Sequence, residues 1–127
     1  MILKNITVLF VCISTLTACA ALDTSEATHI LSVQQHPPTD VASVSIYIEK
    51  PSFNYIVIGI VESRGMAFFF GGEKRDQELA MQALKQEAAN IGADGVIISE
   101  SNQQIASVSK DGSSTERRIK GLAIRRQ

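Results

Sequence analysis

Leu16-Thr17-Ala18-Cys19 carries the clearest chemistry in the chain, a thiol placed for acylation. Lys4 precedes it, and residues 6–16 form an apolar run. A basic start, a short apolar core and small residues before a cut mark an export signal. The run is shorter than the about 20 residues that a bilayer-spanning helix needs. Small Ala18 leaves room for a peptidase beside Cys19, whose thiol can take a diacylglyceryl thioether. The expectation is a lipoprotein signal peptide over residues 1–18 and a lipidated Cys19. Each buried methylene contributes about 0.8 kcal/mol, so one acyl chain binds marginally and several hold a protein in place. Ala20 follows the cysteine where Asp would favour inner-membrane retention, which points to an outer-membrane anchor facing the periplasm.

The other reactive side chains are sparse. Removal of residues 1–18 takes Cys12 away, and lipid consumes Cys19, so no disulfide is expected although export permits one. His29 and His36 are the only histidines, and both precede residue 41. Zinc typically takes four clustered ligands, so neither metal nor cofactor is expected. Nucleophilic catalysis usually sets a hydroxyl or thiol beside a base, often histidine. Asp94 and Glu100 could divide into acid and base if their surroundings differed, yet Asp94 falls at a turn and Glu100 at a strand end. Gly71-Gly72 before a helix could offer amides to an anion, but Glu73 adjoins them and no phosphate-loop lysine follows. The chain therefore reads as non-enzymatic.

Phe68, Phe69 and Phe70 form the most conspicuous apolar group. In an extended segment side chains alternate, so three in succession cannot all face one core. Either the segment folds over the sheet and buries all three, or it contacts a protein, a second subunit or lipid. It is a candidate interaction loop. A net charge of −1 gives no case for nucleic acid. Arg117, Arg118, Lys120, Arg125 and Arg126 read as a solvated strand face and tail, with a phospholipid or lipopolysaccharide contact as the alternative.

Elements that would carry these residues follow from periodicity. Residues 19–40 lack a sustained apolar pattern and read as the lipidated Cys and a flexible tether. About 20 residues of coil span near 25 Å. Val44-Ser45-Ile46-Tyr47-Ile48 alternates as a half-buried strand, and Pro51 fixes a turn after it. Residues 55–61 are apolar on both faces, as in an interior strand covered on both sides. Gly59 within them marks a bulge or a close backbone approach.

Leu79, Ala80, Ala83, Leu84, Ala88 and Ile91 fall on one face of a helix over residues 74–91. Gly92 ends it in the left-handed region, with Ala93 folding back toward Ala88. Val96-Ile97-Ile98 reads as a short buried strand, and strand–helix–strand spacing predicts a parallel crossover. Asp111-Gly112 signals a hairpin, and Gly121 a bulge in the last strand. The predicted fold is α+β over residues 41–127: a small β-β-α-β-β sandwich with one main helix on a mixed sheet.

Taken together, Tyr55-Ile56-Val57-Ile58-Gly59-Ile60-Val61, Ala83-Leu84-Lys85-Gln86-Glu87-Ala88-Ala89, Gly92-Ala93-Asp94-Gly95-Val96-Ile97-Ile98 and Gly121-Leu122-Ala123-Ile124 resemble the YbjQ-type superfamily, which includes Rcs stress-sensor-like envelope lipoproteins. The likeness covers residues 44–125. These motifs specify a helix end, a buried strand and a glycine-led final strand, none of them catalytic. The resemblance implies either a monomeric envelope lipoprotein or a ring-forming oligomer. The cysteines that staple the Rcs sensor domain have no counterpart here. The leading expectation is a lipid-anchored envelope protein, a sensor or accessory factor that binds another protein. The alternative is a homo-oligomeric small-ligand-binding protein of the YbjQ type.

Overall fold

In the computed structural model the described residues are 24–31, 35–68, 72–109 and 112–127. Residues 1–23, Cys19 among them, and Phe69, Phe70 and Gly71 lie outside them. Strands β1 (Thr24–Leu31), β2 (Ser45–Tyr47), β3 (Tyr55–Phe68), β4 (Gly95–Ser109) and β5 (Gly112–Arg126) join one helix, α1 (Gly72–Asn90). They form one sheet in the order β1-β3-β5-β4-β2. β2 and β4 pair in parallel, and the other neighbours are antiparallel. β3 and β4 therefore run the same way with β5 between them, joined through α1 as the crossover predicts. The α+β class is as expected, with one main helix on a mixed sheet.

The helix seats where its apolar face meets small residues of the sheet. Ala80, Leu84, Ala88 and Ala89 pack on Val61, Val96, Ile119 and Ala123, all buried. Alanines on both sides let the backbones approach and leave few large side chains to fill the gap. At Gly65 the approach is closest. A Cβ there would stand 2.4 Å from the Asp76 carbonyl oxygen and 2.5 Å from the Ala80 amide nitrogen. Ser63 Oγ donates to the Ala80 carbonyl at 2.7 Å within this contact. Replacing a buried hydrogen-bonding hydroxyl costs about 1 kcal/mol. Ser63→Ala is expected to lower stability by that amount in urea denaturation, with an unchanged slope. No change would mean that the hydroxyl exchanges this bond for water freely.

The helix ends as its sequence predicts. Gly92 has φ of +88°, its amide donates to the Ala89 carbonyl, and the Ala93 amide donates to Ala88. This is the paired closure that a left-handed residue permits. The hairpin also forms, pairing Ser109 with Gly112, while Lys110 and Asp111 lie outside the described residues. The ladder shifts register between Val57 and Gly59, as Gly59 suggested. The bulge expected at Gly121 is instead in β4, where the register steps between Ile98 and Glu100. Ser99, the extra residue, donates its hydroxyl to the Lys120 carbonyl.

Two expectations are corrected. Thr24–Leu31, read as tether, is an edge strand paired along its length with β3. None of its eight residues is buried, so it gave no apolar pattern. It is held by the ladder, by an ion pair from Glu26 to Arg64 and by a hydrogen bond between His29 and Glu87 on α1. Residues 35–40 are tied down too, since the Thr39 amide donates to the Ala89 carbonyl. The second correction concerns residues 55–61, expected to be covered on both sides. Among the described elements only α1 packs broadly on the sheet, and Ile56 and Val57 remain exposed.

Candidate functional site

Strand alternation sorts the sheet into two faces. One meets α1 through Val61, Ser63, Gly65, Ile119 and Ala123. The other carries Ile60, Glu62, Arg64, Met66, Arg118, Lys120 and Leu122, and no described element covers it. Register sets its side chains in rows across the strands. Ile30, Ile60, Leu122 and Ile97 make an apolar row that β2 extends with Tyr47. Thr28, Glu62, Lys120 and Glu100 make the next. Glu26, Arg64, Arg118 and Asn102 follow, then Thr24, Met66, Glu116 and Gln104.

Charges of both signs therefore share the open face, although Arg64 lies directly opposite Arg118 and Glu116 is itself buried. Glu26 pairs with Arg64, and Arg118 Nε donates to Glu116 Oε1. That bond, with the carboxylate charge, pushes the Arg118 guanidinium further above its ordinary value. Glu62, Lys120 and Glu100 complete the ladder. Its hollows are shallow. One of about 150 Å³ lies between Glu26, Glu62, Arg64 and Arg118, and one of about 210 Å³ between Glu62, Glu100 and Lys120. Both are smaller than the roughly 300 Å³ at which small-molecule sites begin. A broader hollow of about 760 Å³ runs between long side chains on the solvent side of α1, from Lys74 to Lys85, with no buried titratable group in its lining. Among the described residues the open sheet face is a broad surface with only small hollows.

A second polar group is buried on the helix side. Asp76 on α1 is fully buried, accepts from Gln103 Nε2 at 2.9 Å and faces Arg117 Nε at 3.8 Å. Asp76 Oδ1, Arg117 Nε and Thr115 Oγ1 are buried without a hydrogen-bond partner. Sequence reasoning missed Asp76, which stands among charged Lys74, Arg75 and Glu78. The available signal was polar Gln103, Thr115 and Arg117 at inward positions of β4 and β5, where an apolar core would be expected.

The residues weighed for chemistry are not brought together. Asp94 closes the sheet, its carboxylate oxygens accepting from the Arg126 amide at 2.9 and 3.2 Å. Glu100 lies on the open face opposite Lys120. His29 pairs with Glu87 in the last turn of α1, and His36 lies against Gly92 just beyond the helix end. Among the described residues, no group of three or more His, Cys, Asp and Glu is placed to hold a metal. Phe68 ends β3 opposite Ser114, whereas Phe69, Phe70 and Cys19 lie outside the described residues. No described helix is long and apolar enough to cross a membrane.

Neither a family model nor a curated protein matches the sequence. Solved structures share the fold. A Francisella virulence factor, FvfA, superposes with a TM-score of 0.56 at 15% identity, covering 76% of this chain and 97% of that one. A protein of unknown function of the DUF74 family from Pediococcus pentosaceus also gives 0.56, at 19% identity, covering 65% and 96%. At these identities the likeness concerns the fold alone.

Proposed function

We propose that the chain is a non-enzymatic, lipid-anchored envelope protein whose open sheet face binds another protein. The observation that carries this reading is that face itself, a ladder of charges of both signs beside an apolar row. Lone surface charges contribute little to folding, about 1 kcal/mol or less per exposed pair. Complementary charge patterns do govern the rate and register of association. The apolar row supplies area that excludes water at the centre of a contact. The Leu16-Thr17-Ala18-Cys19 sequence supplies the anchor, at the outer membrane facing the periplasm. Its acylation is tested by an intact mass of the native protein, and an unmodified Cys19 would end that part of the reading.

Binding is tested by photocrosslinking in cells from Leu122 on the open face and from Gln82 on the exposed side of α1. One discrete envelope-protein adduct is expected from Leu122 and none from Gln82. Lys120→Glu should erase the adduct while changing stability by about 1 kcal/mol or less. An adduct of equal yield from both positions, or none from either, defeats the proposal. Both signs of charge on one face also suit a second copy of the chain, the YbjQ-like oligomer reading. An adduct at twice the monomer mass, with dimeric or larger species by light scattering, would favour it.

A further inference from the structure

The distance between the anchor and β1 determines which end of the domain meets lipid. Only residues 20–23 separate Cys19 from Thr24, where β1 begins. Fully extended, the five steps from Cys19 to Thr24 span at most about 18 Å at ~3.6 Å per residue. Thr24 lies in the row that runs through Met66 and Glu116 to Gln104. Beyond that row the β4–β5 ladder continues to Ser109 and Gly112. The four steps of β5 from Glu116 to Gly112 add about 14 Å at ~3.4 Å per residue. The hairpin thus projects nearly as far from Thr24 as the anchor chain can reach.

What the hairpin exposes fits a lipid boundary. Ile105 is 66% exposed and Val108 77%. Lys74, exposed near the start of α1 at the same end, suits anionic headgroups, whereas Arg75 beside it pairs with Glu78. The other large exposed aliphatics, Ile30, Leu31, Ile48, Ile56 and Val57, lie toward the opposite end of the sheet.

We propose that the β4–β5 hairpin is a second contact with the bilayer, placing Ile105 and Val108 at the boundary between headgroups and acyl chains. The proposal rests on the lipid-anchored reading of Cys19. Two aliphatic side chains are too few to hold a free protein on a membrane. Once Cys19 is acylated the contact becomes intramolecular, and its effective concentration replaces the missing affinity. The sheet then stands on its hairpin end, and the charge ladder faces sideways, open to a partner.

The test uses the full native lipoprotein, its acylation established by intact mass, in vesicles of phosphatidylethanolamine and phosphatidylglycerol. Acylated Cys19 leaves only an introduced thiol to label, so Val108→Cys, Ile105→Cys and Ile48→Cys each take one environment-sensitive fluorophore. Blue-shifted emission, quenched several-fold more by brominated lipid, is expected at 105 and 108 but not at 48. Two positions guard against a local disturbance of the hairpin at either one. If acylated protein gives the same emission and quenching at all three positions, the hairpin contact is wrong and the anchor stands. An unacylated mass removes both.

Discussion

Gly65→Ala is expected to cost about 2–3 kcal/mol and Gly65→Val more, values at or above the upper end for overpacking a core. Small domains have only about 5–15 kcal/mol of stability in all, so the valine variant should lose a large share of it and melt at a clearly lower temperature. The atoms a Cβ would strike are the Asp76 oxygen and the Ala80 nitrogen. These are the acceptor and donor of one turn of α1, four residues apart. Because they are backbone, trimming a neighbouring side chain such as Leu79 brings no relief. The helix must lift, which stretches the bond from Ser63 Oγ to Ala80 and separates Asp76 from Gln103. The midpoint in urea should fall with little change in slope, and Gly65→Ala/Leu79→Ala should recover nothing. Wild-type stability in Gly65→Ala would show that α1 does not rest on β3 at this point.

Gly65 also shows why parts of the fold were legible and others not. The helix could be read because its signal is local: Leu79, Ala80, Ala83, Leu84 and Ala88 repeat within a few turns, and Gly92 supplies the stop. The hairpin was equally local, through Asp111-Gly112. β1 was invisible for the opposite reason. Its partners, Arg64 and Glu87, are far away in sequence, and an edge strand with no buried residue leaves no alternation to detect. The full length of β4 was hidden too. Ser99-Glu100-Ser101-Asn102-Gln103-Gln104 is polar on both sides, and the strand continues through it because β5 pairs with it. The open face shared this difficulty. Arg64 and Lys120 acquire meaning only when register sets them beside Glu26 and Glu62. Sequence therefore located the core but not the arrangement of charges on the open face.

Asp76→Ala is the second large effect, with an expected loss of about 3 kcal/mol, the lower end for breaking a buried ion pair. Removing the carboxylate strips Gln103 Nε2 of its acceptor and leaves Arg117 without a counter-charge under the helix. The Arg117 side chain is 19% exposed and still reaches Ser101 Oγ at 3.3 Å, so it can turn partly toward water and limit the loss. Asp76→Asn keeps an acceptor for Gln103 but not the charge, and should cost less than Asp76→Ala. Removing both charges together should be cheaper than the sum of the single changes. In a double-mutant cycle, Asp76→Ala and Arg117→Ala are expected to couple by about 1 kcal/mol or more, beyond the ~0.5 kcal/mol scatter of independent sites. Filling the space with apolar side chains, as in Asp76→Leu/Gln103→Leu/Arg117→Met, should restore or exceed wild-type stability, because desolvation offsets much of what a buried pair contributes. Additive single losses would mean that 3.8 Å is too far for the two charges to matter to each other. An apolar triple variant less stable than Asp76→Ala would show that the polar group is needed to set the helix on the sheet.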